Sequence, residues 1–140
     1  MKWTVPYRPW RGTFLPLVAV EVEGIGVLDA IVDSGASCSL FSARVADELG
    51  LVLESGESKR FGGVGGSILA YRHDLPVRVM GQVMTLKVFF SREFHPSVNL
   101  LGRDNFFMHF LVTFDEVGRR TILETREGAP DSVSRSPRNG

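Results

Sequence analysis

The sequence predicts an all-β domain, a small closed barrel or sandwich carrying one or two short helices. Apolar and polar residues alternate in many short runs, glycines punctuate those runs at hairpin spacing, and only two stretches carry helix signals. The chain has 140 residues, 44% of them apolar, which suits one core and is too short for two independent lobes.

Residues 1–13 hold Trp3, Tyr7 and Trp10 among two prolines without periodicity, and are expected as an extended arm. From Phe14 to Glu23, Val18, Val20 and Val22 alternate with Ala19, Glu21 and Glu23, as in a half-buried strand. Gly24 and Gly26 bracket a tight turn, and Ile25 to Val32 returns as the second limb of a hairpin that runs into Asp33. Cys38 to Phe41 suggests a further short strand. Ser42 has the character of an N-cap, and Ala43 to Leu49 supply one or two helical turns that Gly50 ends. Extended structure resumes at Leu51 to Leu53. The segment Phe61 to Ser67 is dense in glycine, and strands are expected over Ile68–Met80 and Val83–Phe90 about Gly81-Gln82. Pro96 marks a loop, Val98–Leu101 a short apolar strand, and Gly102 opens a short helix to about His109. Phe110–Phe114 and Thr121–Glu124 alternate again. The domain thus spans 14–124, and residues 125–140, rich in Ser, Pro, Arg and Gly, are expected as a disordered tail.

Sixteen basic and sixteen acidic residues cancel, and the basic ones are scattered rather than striped, so nucleic acid is not expected as a partner. No apolar run approaches a membrane span. The lone Cys38 cannot form an internal disulfide, and Met1 to Pro6 lacks a signal-peptide core, which together point to a cytoplasmic address. His73, His95 and His109 show no metal-ligand spacing, so neither a metal nor another cofactor is expected. The pairs Phe89-Phe90 and Phe106-Phe107 read as core.

The chemistry-bearing segment is Ile31-Val32-Asp33-Ser34-Gly35-Ala36, in which an apolar strand delivers a carboxylate to its end. Gly35 permits a sharp turn or a close backbone approach, and Ser34 offers a hydroxyl to brace the loop. The same triplet also suits an Asx-type turn closing a hairpin. Two further segments follow in order. Phe61-Gly62-Gly63-Val64-Gly65-Gly66 lacks the Gly-Lys-Ser/Thr of a phosphate loop and the third glycine of a dinucleotide fingerprint, and reads as a mobile hairpin tip. Leu100-Leu101-Gly102-Arg103-Asp104 reads by itself as a strand meeting a helix start.

As an ordered set over roughly residues 14–124, these three segments resemble the retropepsin-like aspartic peptidases of retroviruses, transposons and some bacteria. That resemblance implies a small closed acid-protease barrel in which Asp33 is the catalytic acid/base. Ser34 would brace two active-site loops across a dimer, and Gly35 would touch substrate through its backbone. Ala36 and the flap residues Gly62, Gly63, Val64, Gly65 and Gly66 would bind substrate, and Leu101, Gly102 and Arg103 would support the loop from behind. Ser37, Cys38 and Ser39 stand where retroviral members often carry an acid that pairs with the later arginine, so Arg103 is expected to lack that ion partner.

The reaction implied needs two carboxylates sharing one proton, and the chain carries one Asp-Ser-Gly. Glu54-Ser55-Gly56 imitates it but lies in a polar stretch that reads as a turn. A homodimer acting on a peptide or protein substrate is therefore expected, with Thr121–Glu124 and the aromatic arm as interface material. The rival expectation is a dimeric binding or scaffold module that keeps the fold and does not cut.

Overall fold

Side-chain alternation builds the sheets. A computed structural model describes residues 1–63, 65–94 and 98–126. In β4 (Leu17–Val22) Val18, Val20 and Val22 are buried while Ala19 and Glu21 face water. It pairs antiparallel with β5 (Gly26–Val32) through the turn at Gly24, whose φ of 91° only glycine adopts at low cost. Before them lie β1 (Lys2–Pro6), β2 (Arg8–Trp10) and β3 (Thr13–Leu15). The strand expected from Phe14 is thus interrupted at Pro16, whose carbonyl accepts the Val32 N–H at 2.9 Å.

After β6 (Ser39–Ser42) comes α1 (Ala43–Glu48), where the Ser42 side chain accepts the Arg44 N–H and Gly50 follows the helix at φ 74°, as its sequence signals indicate. The Glu54-Ser55-Gly56 imitation falls in one 3-10 turn, Leu53–Ser55, as its polar setting suggested. Then β7 (Glu57–Gly63), β8 (Gly66–Val79) and β9 (Gln82–Ser91) form two successive hairpins. The chain closes with β10 (Asn99–Leu101), α2 (Phe106–His109), β11 (Phe110–Asp115) and β12 (Arg120–Thr125). The helix expected from Gly102 begins only at Phe106, because Gly102 to Asp104 are bonded to the Asp33 loop instead. The Pro96 loop and the tail from residue 127 lie outside the described residues.

Seven strands form one sheet in the order β4-β5-β10-β6-β9-β8-β7, and it curls until β4 meets β8 at Glu21 opposite Arg78. The expected closed barrel is therefore a ring whose seam is a bridge rather than a full ladder. Phe41, Phe90, Phe106, Phe110, Leu86 and Leu101 fill it, each at most 1% exposed. Burial of such side chains is worth about 1.5–3 kcal/mol apiece. Phe41 meets Phe90 edge-on at 6.1 Å.

The remaining sheet is three-stranded, β1-β12-β11. Residues 2–6, within the stretch expected as an extended arm, form a strand of this sheet: Trp3 and Val5 pack toward the core while Lys2, Thr4 and Pro6 are exposed. That alternation of period two stands in the sequence, overlain by its prolines. Tyr7 anchors the next turn, its N–H donating to the Arg119 carbonyl at 2.7 Å and its hydroxyl to Glu116 at 3.2 Å.

Candidate active site

β5 is apolar because it crosses the ring, with Ala30 and Val32 buried, and it releases the chain at Asp33. A hairpin would pair β5 with β6. Instead β10 lies between them, parallel to β5 (Leu101 opposite Val32) and antiparallel to β6 (Leu100 opposite Leu40). The Asx turn does form: the Gly35 N–H donates to Asp33 Oδ1 at 2.8 Å, and the Ala36 N–H to the Asp33 carbonyl at 3.1 Å. It closes no hairpin; the turn stands at the end of β5, where Ala30 and Val32 are buried.

The segment after β10 grips this turn. The Asp33 N–H donates to the Leu101 carbonyl, the Arg103 N–H to the Ala36 carbonyl and the Asp104 N–H to the Ser37 carbonyl, each at 2.9 Å. Between them, the Gly102 N–H donates to Ser39 Oγ at 3.0 Å, with Ser39 wholly buried. A Cβ on Gly102 would lie 2.2 Å from the Cys38 carbonyl oxygen, so only glycine lets the two backbones approach this closely. Leu101 and Gly102 are thus brought to the loop with Asp33, Gly35 and Ala36. Arg103 contributes its backbone; its side chain is exposed, and none of the ion pairs among the described residues includes it.

Ser34 and Gly35 are exposed on the turn and Asp33 is half-buried, so a second molecule has access to all three. A Cβ on Gly35 would lie 3.2 Å from Asp33 Oδ1, so a side chain there would press on the carboxylate. Cys38 is partly buried.

The glycine-dense segment is the tip of the β7–β8 hairpin, where Gly62 pairs with Ser67 and Gly63 with Gly66. Gly65 and Gly66 hold φ of 93° and 124°, and a Cβ on Gly62, Gly63, Gly65 or Gly66 would meet nothing within 4 Å. Val64 lies outside the described residues. Just below the tip, Phe61 meets Phe89 edge-on at 5.0 Å.

Two supports escaped the sequence reading. The Asn99 side chain accepts the Ser42 N–H at 3.2 Å, and Ser39 accepts from Gly102. Their signal was a polar residue at an inward position of a short apolar strand, which demands a partner. Strand β7 also escaped notice, because Glu57 to Arg60 are exposed on both faces and show no alternation.

The sequence model of a family described as aspartyl protease matches residues 18–104. No curated protein matches the chain. The crystal structure of a retropepsin-like aspartic protease from Rickettsia conorii is similar with a TM-score of 0.68 at 19% identity, over 88% of this chain and 98% of that one. The EIAV protease complexed with the inhibitor HBY-793 is similar with a TM-score of 0.52 at 21% identity, over 69% of this chain and 89% of that one.

Proposed function

The chain belongs to the aspartyl protease family, with a retropepsin-like fold, and on that premise we propose that it is an endopeptidase whose catalytic pair is Asp33 from each of two identical copies. The observation that carries this reading is the presentation of Asp33. The Asp33 carboxylate stands at the end of β5, its Oδ1 accepting from the Gly35 N–H while the Asp33 N–H donates to the Leu101 carbonyl, and Ser34 and Gly35 of its loop are exposed.

Two carboxylates about 3 Å apart repel by roughly 5 kcal/mol at an effective dielectric of about 20. The pair therefore holds one proton between them. The ionised member takes a proton from a water molecule, the water oxygen attacks the scissile carbonyl carbon, and the protonated member gives its proton to the carbonyl oxygen. Collapse of the resulting diol breaks the C–N bond as the amine leaves protonated. Ser34 braces the paired loops, and Gly35 and Ala36 offer backbone to an extended peptide. The glycines of the β7–β8 tip cover that peptide from the other side, where strand-edge pairing supplies affinity without reading its sequence.

The test is cleavage of an unstructured peptide library by the full chain between acidic and neutral pH, against Asp33→Asn. Cleavage lost in a variant that still folds supports the reading. Cleavage that survives the substitution removes it, and full activity in a strictly monomeric species removes the paired mechanism.

A further inference from the structure

Strand pairing gathers charge on one face of the β7–β8–β9 sheet. Arg72 stands opposite Glu57 of β7 and Phe89 of β9, and Asp74 stands opposite Lys87. Residues two apart along a strand share a face, so Lys59 and Phe61 join Glu57, Arg72, Lys87 and Phe89 there. Val88 and Phe90, which alternate with them in β9, turn into the core and are wholly buried. Strand β6 carries the charged face on toward the Asp33 loop. Ser39 pairs with Val88, and Cys38, the residue before it, bridges to Asp104.

A cavity of about 230 Å³ lies where loop and sheet meet, with Cys38 and Asp104 on one side and Lys59, Arg72, Lys87 and Phe89 on the other. Pockets for free small molecules run to about 300–1,000 Å³, so this one suits a single side chain of a longer ligand. Its charges are unevenly matched. Lys87 Nζ lies 3.6 Å from Asp104, and Arg72 lies 3.2 Å from Asp74 and 4.0 Å from Glu57. None of the ion pairs among the described residues includes Lys59. Its ammonium stands 5.2 Å from the ring centroid of Phe61 and 5.9 Å from that of Phe89. Rings attract a cation but accept none of its three N–H donors in the way a carboxylate does.

We propose that Lys59 is a specificity-determining residue that takes the carboxylate of a glutamate or aspartate side chain in the peptide substrate. The inference rests on the peptidase reading, which runs the peptide between the Asp33 loop and the β7–β8 tip. The cavity lies between the same two elements, bounded by Cys38 at the far end of that loop and by the strand that leads to the tip. Because Cys38 rather than Asp33 borders it, the side chain it takes is not one of the two that flank the scissile bond. Arg72 and Lys87 are held by their own acids and keep the cavity from collapsing onto Lys59.

The test compares kcat/KM of the full chain on peptides that differ only in carrying Glu, Gln or Lys, placed in turn at each position within about four residues of the scissile bond. Glu is expected to exceed Gln about fivefold at a position beyond the two flanking ones, the upper end for an exposed ion pair. At about 1 M salt the ratio should fall toward one. Lys59→Gln is expected to erase the ratio and Lys59→Glu to turn it toward Lys, a reversal that damage to the fold does not produce. The same peptides, fluorescently labelled, are titrated against Asp33→Asn by anisotropy, which reads the preference without cleavage. Cleavage with Glu no better than Gln at every position, or a ratio that survives Lys59→Glu, overturns the inference and leaves the peptidase reading standing. Glu-selective binding by a chain whose wild type cuts nothing removes the peptidase reading and keeps the role of Lys59. Peptides neither cut nor bound remove both.

Discussion

Gly102 and Gly63 are the same residue used for opposite reasons. At Gly102 a side chain has no room: its Cβ would sit 2.2 Å from the Cys38 carbonyl oxygen, in the middle of backbone bonds that tie β10 to the Asp33 loop. At Gly63 a side chain has nothing to touch within 4 Å. One region is a clamp whose glycine sustains the fold. The other is a hairpin tip whose glycines leave the backbone bare, beyond the packing of Phe61 on Phe89. Close backbone packing is concentrated at the Asp33 loop, and the β7–β8 tip has none at its glycines.

Substitutions can break this contrast at either end. Asp33→Asn is expected to have the largest effect, lowering cleavage by at least about 10²–10⁴-fold. Its melting temperature should hold, because the amide oxygen still accepts the Gly35 N–H; a large stability loss would mean that the carboxylate is structural. Gly102→Ala should destabilise by about 3 kcal/mol or more, since the obstacle is backbone rather than a movable side chain. A wild-type urea midpoint for that variant would refute the clamp. Gly63→Ala should leave stability within about 0.5 kcal/mol while changing kcat/KM for peptide cleavage. An unchanged kcat/KM would detach the hairpin tip from function.

The smallest effect concerns the β11–β12 turn. The Gly118 N–H, and then the Arg120 guanidinium, hold the Asp115 carboxyl below the ordinary aspartate range. Its contribution is therefore present above that range and is lost as pH falls through the lower folded value. Asp115→Asn should flatten the acid limb of the melting profile slightly and leave cleavage near neutral pH unchanged. A steeper acid limb in the variant would reverse the assigned sign.

The candidate segments were legible before the fold. Asp33-Ser34-Gly35 at the end of an apolar run, the glycine cluster and Leu101-Gly102 mark three segments by local composition alone, and the structure brings the first and third into direct hydrogen bonding. Strands such as β4, β5 and β9 were readable because one face of each is buried and alternation records that face. Strand β7 was not, because an exposed edge strand has no buried face to record. Strand β1 was half readable, its Trp3 and Val5 alternation interrupted by the proline the edge requires.

By itself the sequence determined the residue types that chemistry and turns demand: a carboxylate, a hydroxyl, and glycines at positive φ or at close approach. Only the tertiary structure decided that β10 passes between β5 and β6, that Ser39 and Asn99 are supports, and that β12 takes the middle of the small sheet and leaves β11 at its edge. The physical reason is range. Turn, cap and burial preferences act within a few residues and leave a local record. Strand order is set by pairings between segments some seventy residues apart, such as Leu101 with Val32, and a backbone hydrogen bond is indifferent to the side chains it joins.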